Sequence, residues 1–103
     1  FSKIGGEMVP HMKIEEMINE VLGSPASVVT AIPDEQRGER LVVFYAKNGV
    51  SREELWDKLN KSVLPKLWVP KRDDLHAIDE IPILGSGKAD LKRVKAMALE
   101  KAV

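Results

Sequence analysis

Near its C-terminal end the chain reads Pro82-Ile83-Leu84-Gly85-Ser86-Gly87-Lys88-Ala89-Asp90-Leu91. A proline opens a loop, two glycines free its backbone, and a lysine stands at the tip just ahead of a helical pattern. Glycine takes positive φ without steric cost and lets backbone approach a ligand closely. A lysine ammonium on such a turn is a compact charge that can be delivered to an anion, in a site that the loop enters rather than builds. The loop is not a phosphate-cradling P-loop. That pattern needs Gly-x-x-x-x-Gly-Lys-[Ser/Thr] after a strand, whereas Pro82 holds the first glycine position and Ala89 follows the lysine. The competing reading of these residues alone is a flexible turn carrying a solvated lysine. With no large apolar anchor after Leu84, little is expected to order the loop unless a partner holds it.

Other reactive chemistry is scarce. There is no cysteine, which excludes disulfides, thiol catalysis and cysteine metal sites. His11 and His76 are far apart and form no metal-ligand spacing, so no metal site is expected. The 16 basic and 16 acidic residues cancel, leaving no global field to draw in nucleic acid or an anionic membrane. No apolar run approaches the ~18 residues of a membrane span, so this domain is not expected to cross one. A length of 103 residues is one domain with room for a core.

The elements that must carry the lysine alternate between strand and helix. Lys3 to Val9 reads as a short strand or hairpin arm containing glycines. Met12, Ile14, Met17, Ile18, Val21 and Leu22 recur at helical spacing, and Gly23 stops that helix. Ser27 to Ile32 is β-branched and strand-like, ended by Pro33-Asp34. Arg40 to Lys47 contains a nearly continuous apolar run suited to a central strand. Ser51 with Glu54 makes a capping box for a helix bearing Leu55, Trp56 and Leu59. Leu75 to Ile81 reads as a third strand, and Asp90 caps a last helix through Leu91, Val94, Met97, Ala98 and Lys101. This order predicts an α+β fold, a small sheet covered by three helices.

Several ordered motifs carry a family resemblance. Lys3-Ile4-Gly5-Gly6-Glu7-Met8-Val9, followed by Ile14-Glu15, resembles the linker-proximal motif of the adenylate-forming acyl ligases. Pro82 with Ser86-Gly87-Lys88 resembles the C-terminal motif of the same superfamily. Between them, Ile32-Pro33-Asp34 through Gly38-Glu39, Leu67-Trp68-Val69-Pro70 and Ile78-Asp79-Glu80-Ile81-Pro82 resemble runs of its C-terminal domain. The resemblance covers essentially the whole chain. Within the superfamily, Leu64 to Lys71 and Ile83 to Leu91 look closest to bacterial acyl-acyl-carrier-protein synthetases, which are often fused to a 2-acylglycerophosphoethanolamine acyltransferase. Three positions depart from the common pattern: His11 stands where proline is usual, Lys13 where glutamate is, and Leu91 where many relatives carry arginine.

The resemblance implies residues 1–103 as the mobile C-terminal domain of a larger ligase, whose N-terminal adenylation domain binds ATP and Mg. Phe1 falls inside a motif, so the natural chain is expected to continue N-terminally, with the family's hinge just before it. Lys88, on the Gly85-Ser86-Gly87 loop, would supply the cation for acyl-adenylate formation from a fatty acid. The domain would then rotate and present Lys3, Gly5 and Gly6 to a phosphopantetheine thiol, on acyl carrier protein or coenzyme A. Gly6 matches the family glycine and Gly5 is its neighbour; a glycine bulge without ligand contact is the alternative. The isolated domain is expected to be inactive. The intact protein is expected at the cytoplasmic face, in association with the inner membrane, with a link to lysophospholipid reacylation. The alternatives are an acyl-CoA synthetase domain, or a non-catalytic α+β binding or dimerisation module in which the lysine loop is only a turn.

Aromatic and basic residues offer one further surface. Trp56 falls on its helix's apolar stripe and is expected in the core, whereas Trp68 is the candidate exposed anchor. Lys66, Lys71 and Arg72 cluster around Trp68 and would suit an acidic carrier protein; a solvated charged loop is the competing explanation. Met8, Met12 and Met17 are expected to fill the core.

Overall fold

Alternating apolar residues on two long strands place one core on each side of a sheet. β3 (Ser27–Asp34) and β4 (Gly38–Ala46) pair antiparallel, and β5 (Leu75–Ile78) pairs parallel to β4, giving a mixed sheet of order β3-β4-β5. Val29, Ala31, Leu41, Val43 and Tyr45 enter one core, while Val28, Ile32, Val42 and Phe44 enter the other. Side chains of a strand point alternately to opposite faces, so this partition follows from position in the chain. The computed structural model describes residues 1–47 and 49–101. It is an α+β domain with three α-helices, as the element order predicts.

The first face is covered by a hairpin and two helices. β1 (Ser2–Ile4) and β2 (Glu7–Val9) pair around a Gly5-Gly6 turn, with Ile4 and Val9 buried. α1 (His11–Leu22) buries Ile14, Ile18 and Leu22 at four-residue spacing. It ends at Gly23, whose left-handed φ of 76° lets its N–H reach the Asn19 carbonyl. α2 (Arg52–Asn60) starts where Ser51 Oγ accepts the Glu54 amide at 3.1 Å, and buries Leu55 and Leu59. Each fully buried leucine or isoleucine contributes roughly 2 kcal/mol of transfer free energy. α3 (Leu91–Lys101) packs on the second face, through Val94 and Ala98.

Four expectations are corrected. Pro33 and Asp34 continue β3, in register with Glu39 and Gly38. β3 is an edge strand, so the proline's missing N–H breaks no ladder bond. β5 stops at Ile78 instead of Ile81, because its partner strand runs out at Ala46. Trp56 is 38 % exposed, one position off the Leu55–Leu59 stripe, while Trp68 packs half-buried against the first core. Met8 and Met12 are exposed and only Met17 lies partly in the core.

Two polar contacts in this scaffold were not legible beforehand. Glu15 Oε2 accepts the Val29 amide at 2.9 Å, covering a donor on the free edge of β3. Burial raises the Glu15 carboxyl above its ordinary value, and that hydrogen bond opposes the rise. Ser2 Oγ and His11 Nε2 lie 2.5 Å apart, so the histidine at the usual proline position ties β1 to the start of α1. Burial lowers its pKa.

Candidate functional site

The lysine loop is a small closed hairpin. Ile83 and Ala89 form an antiparallel bridge, and the Asp90 amide donates to the Pro82 carbonyl at 2.9 Å. Inside that frame the Leu84 amide donates to the Lys88 carbonyl at 2.7 Å, and the Gly87 amide to the Leu84 carbonyl at 2.9 Å. Gly87 has φ of 89°, a left-handed conformation that glycine adopts without strain. Below the loop, Asp90 Oδ1 accepts the Arg93 amide at 3.1 Å and starts α3. The expectation that little holds this loop is thereby corrected: backbone bonds within 82–90 close it without a partner.

Residues 83–88 are all exposed. Lys88 makes no ion pair among the described residues. It borders a shallow cavity of about 460 Å³, shared with Leu84, Ala89, Asp90, Leu91 and Lys92. A free ammonium on a fixed backbone turn is arranged to meet an anion supplied from outside the domain.

Gly5 and Gly6 lie on the other side of the sheet. Both have positive φ, 58° and 87°, as a two-residue turn between antiparallel strands requires. The Gly5 amide donates to the Arg37 carbonyl at 2.9 Å, and a Cβ on Gly5 would meet Leu67 Cδ1 at 3.9 Å. A Cβ on Gly6 would meet nothing within 4 Å. Gly6 is thus the open position and Gly5 the packed one. Lys3 is exposed beside them, its amide bonded to Glu39 Oε2 at 3.0 Å.

The structure brings this turn against the single-turn 3₁₀ segment Lys66–Trp68, so the proposed thiol-facing residues and part of the basic cluster are neighbours. Trp68 is not a free anchor: its indole N–H is buried, with no hydrogen-bond partner among the described residues. Arg72 is already engaged by Glu53 at 3.3 Å and Asp73 at 3.2 Å. Lys66 and Lys71 are exposed, and Lys71 lines a polar cleft with Arg40, Asp34 and Gln36.

The two faces are separated by the sheet. Ala89, beside the lysine, packs on the core of Val42 and Phe44; Ile4 and Val9, the hairpin's anchors, belong to the core of Val43 and Tyr45. No group of three His, Asp or Glu residues converges among the described residues.

Comparison with known proteins agrees with this fold. The family described as AMP-binding enzyme C-terminal domain matches residues 13–88, the greater part of the chain. ATP-bound MatB from Rhodopseudomonas palustris superposes with a TM-score of 0.79 at 20% identity, over 93% of this chain and 19% of its own. A Mycobacterium tuberculosis fatty acyl CoA synthetase gives 0.79 at 24% identity, over 93% and 19%. Mycobacterium smegmatis MbtA gives 0.77 at 30% identity, over 89% and 18%. The chain therefore spans about a fifth of the length of these solved structures. By sequence match and by fold, it belongs to the family of AMP-binding enzyme C-terminal domains.

Proposed function

We propose that this chain is the mobile C-terminal domain of an ATP-dependent, AMP-forming fatty acyl ligase, and that its two faces serve the two half-reactions in turn. The supporting observation is the placement of Lys88 and Gly6 on opposite sides of one sheet. In the first half-reaction a carboxylate oxygen attacks the α-phosphorus of ATP, pyrophosphate leaves and an acyl-adenylate forms. Lys88, presented on its closed hairpin, meets the acyl carboxylate and the neighbouring phosphate, where negative charge gathers. In the second, a thiol attacks the acyl carbon and AMP departs, leaving a thioester.

Both faces cannot meet the same pocket at once. A rigid rotation about a hinge before Phe1 withdraws Lys88 and brings the Gly5–Gly6 turn to the thiol channel. The open space at Gly6 lets a phosphopantetheine arm pass close to backbone. ATP and Mg are held by the N-terminal adenylation domain of the same polypeptide. The isolated domain is inactive because it carries only the lysine. The resemblance to acyl-acyl-carrier-protein synthetases favours acyl carrier protein as acceptor, and lysophospholipid reacylation at the cytoplasmic face of the inner membrane as the use of the product. The fatty acyl CoA synthetase among the similar structures favours coenzyme A as the second acceptor to try.

Pyrophosphate exchange by the full-length enzyme over a panel of fatty acids, followed by acceptor assays with carrier protein and coenzyme A, tests this reading. Reversing the free cations, Lys66→Glu with Lys71→Glu, should raise KM for an acidic carrier protein roughly tenfold while leaving coenzyme A use unchanged. Equal loss with both acceptors would remove these lysines from the docking surface.

A further inference from the structure

Among the described residues β3 has a strand neighbour, β4, on one side only. The N–H and C=O of a strand residue point to the same side, and successive residues alternate between sides. The Val29 amide is bonded to Glu15 and the Ala31 carbonyl to Lys95 Nζ, so the odd-numbered residues carry the outward groups. Pro33 is the next in that series, and it has no N–H to offer. Three consecutive outward positions therefore each lack one half of the N–H and C=O couple that a joining strand exchanges. The two covering side chains arrive from opposite faces of the sheet. Glu15 lies on α1 beside Ile14 of the first core, and Lys95 lies on α3 beside Val94 of the second. A surface lysine ordinarily keeps its charged head in water. Lys95 instead lays its ammonium on a backbone carbonyl 64 residues away. One turn after Glu15, Asn19 Oδ1 accepts the Ser27 hydroxyl at 2.6 Å, so α1 follows the edge to its start.

The strand shielded in this way has the composition of a self-pairing segment. Ser27-Val28-Val29-Thr30-Ala31-Ile32 is rich in β-branched residues and has no charge, glycine or proline. We infer that Glu15 and Lys95 clamp the β3 edge shut against a second copy of this chain, and that without them two copies join edge to edge through residues 27–33. The partner is a second copy because identical segments match around a two-fold axis, running antiparallel with the same outward groups on each side. Around that axis each uncovered group is presented twice, so uncovering one donor and one acceptor changes both halves of the pairing. β5, at the opposite edge of the sheet, is only four residues long and offers a much shorter template.

The test uses the full-length protein with Glu15→Ala, Lys95→Ala and the pair. Sedimentation velocity over a concentration series gives the association state, and hydrogen exchange of the peptide spanning residues 27–33 locates the contact. The double variant should associate at concentrations roughly tenfold or more below any at which the parent does. Exchange in 27–33 should slow as its concentration rises, because newly paired amides are protected. Glu15→Gln keeps an acceptor for the Val29 amide and should stay in the parental state. Loosened folding moves the second readout the other way, since an opened strand exchanges faster. Association accompanied by faster exchange in 27–33 overturns the clamp, as does a folded double variant that remains in the parental state. If the double variant does not fold, Lys95→Ala must show the concentration-dependent slowing by itself, and its absence there overturns the clamp equally. Neither readout involves Lys88, so the outcome stands apart from the adenylation role.

Discussion

The Leu84 amide reaches the Lys88 carbonyl at 2.7 Å, and this bond sets where the lysine stands. With the Gly87 amide on the Leu84 carbonyl, it closes a hairpin whose tip is all exposed. The turn spends its own backbone groups on holding shape and leaves the ammonium free of intradomain ion pairs among the described residues. A charge held this way loses little entropy when it meets its anion, which is the physical content of preorganisation.

The two loop glycines should respond differently. Gly87 has φ of 89°, so Gly87→Ala forces an L side chain into the left-handed region at a cost of about 1 kcal/mol. Adenylation by the full-length enzyme should fall, because the Lys88 position shifts with the turn. Gly85 has no positive φ and open space where a Cβ would go, so Gly85→Ala should leave exchange and thermal stability nearly unchanged. Exchange assays and melting curves on both variants check the contrast; equal effects would mean that the turn geometry does not matter.

A probe of the thiol face has to respect the turn there. Any β-branched residue at Gly6 is strained at φ of 87°, so Gly6→Val would confuse misfolding with obstruction. Asparagine tolerates that region, and nothing crowds its Cβ within 4 Å. Gly6→Asn should slow thioester formation severalfold in single-turnover assays, with adenylation close to the parent. Parallel loss of both half-reactions would place the effect in folding.

Much of the scaffold was legible because its signals are local. Gly23 stops α1 through its own φ, Ser51 and Glu54 cap α2 within one turn, and the run from Leu41 to Tyr45 needs both faces covered. The misread positions depend on neighbours distant in sequence. Whether Pro33 ends a strand depends on which edge lacks a partner, and Trp56 against Trp68 is decided by one helical step and by what the 3₁₀ segment meets. Lys88 and Gly6 could be singled out by motif, but their separation by the sheet appears only once Ala89, Ile4 and Val9 are assigned to cores. The backbone closure of the lysine loop carried no signal in its residue types.

The Arg40–Asp74 pair gives a stability prediction with a defined pH dependence. Arg40 Nε lies 3.3 Å from Asp74 Oδ2, and the Asp74 side chain is only 10% exposed. Burial raises the Asp74 pKa above 3.8, and the Arg40 charge opposes that rise. A raised carboxyl pKa favours the folded state at low pH and weakens it as pH climbs through the folded value. Arg40→Met removes the opposing charge and should cost on the order of 2–3 kcal/mol at pH 7. The cost should shrink towards pH 4 as the carboxyl takes up its proton. Urea unfolding at both pH values measures it, and a pH-independent difference would contradict this electrostatic origin.

The central claim is that Lys88 acts in adenylation and in no later step, and the direct measurement is Lys88→Ala in the full-length enzyme, with the two half-reactions assayed separately. Lys88 is exposed and outside both cores, so the variant should fold normally. Pyrophosphate exchange should fall by about a hundredfold or more, corresponding to about 3 kcal/mol of lost charge stabilisation. Lys88→Arg should recover little, since a planar guanidinium does not reproduce a compact ammonium. Thioester formation from supplied acyl-adenylate should proceed at the parental rate. Near-normal pyrophosphate exchange in Lys88→Ala would contradict the account and reduce the hairpin to a turn.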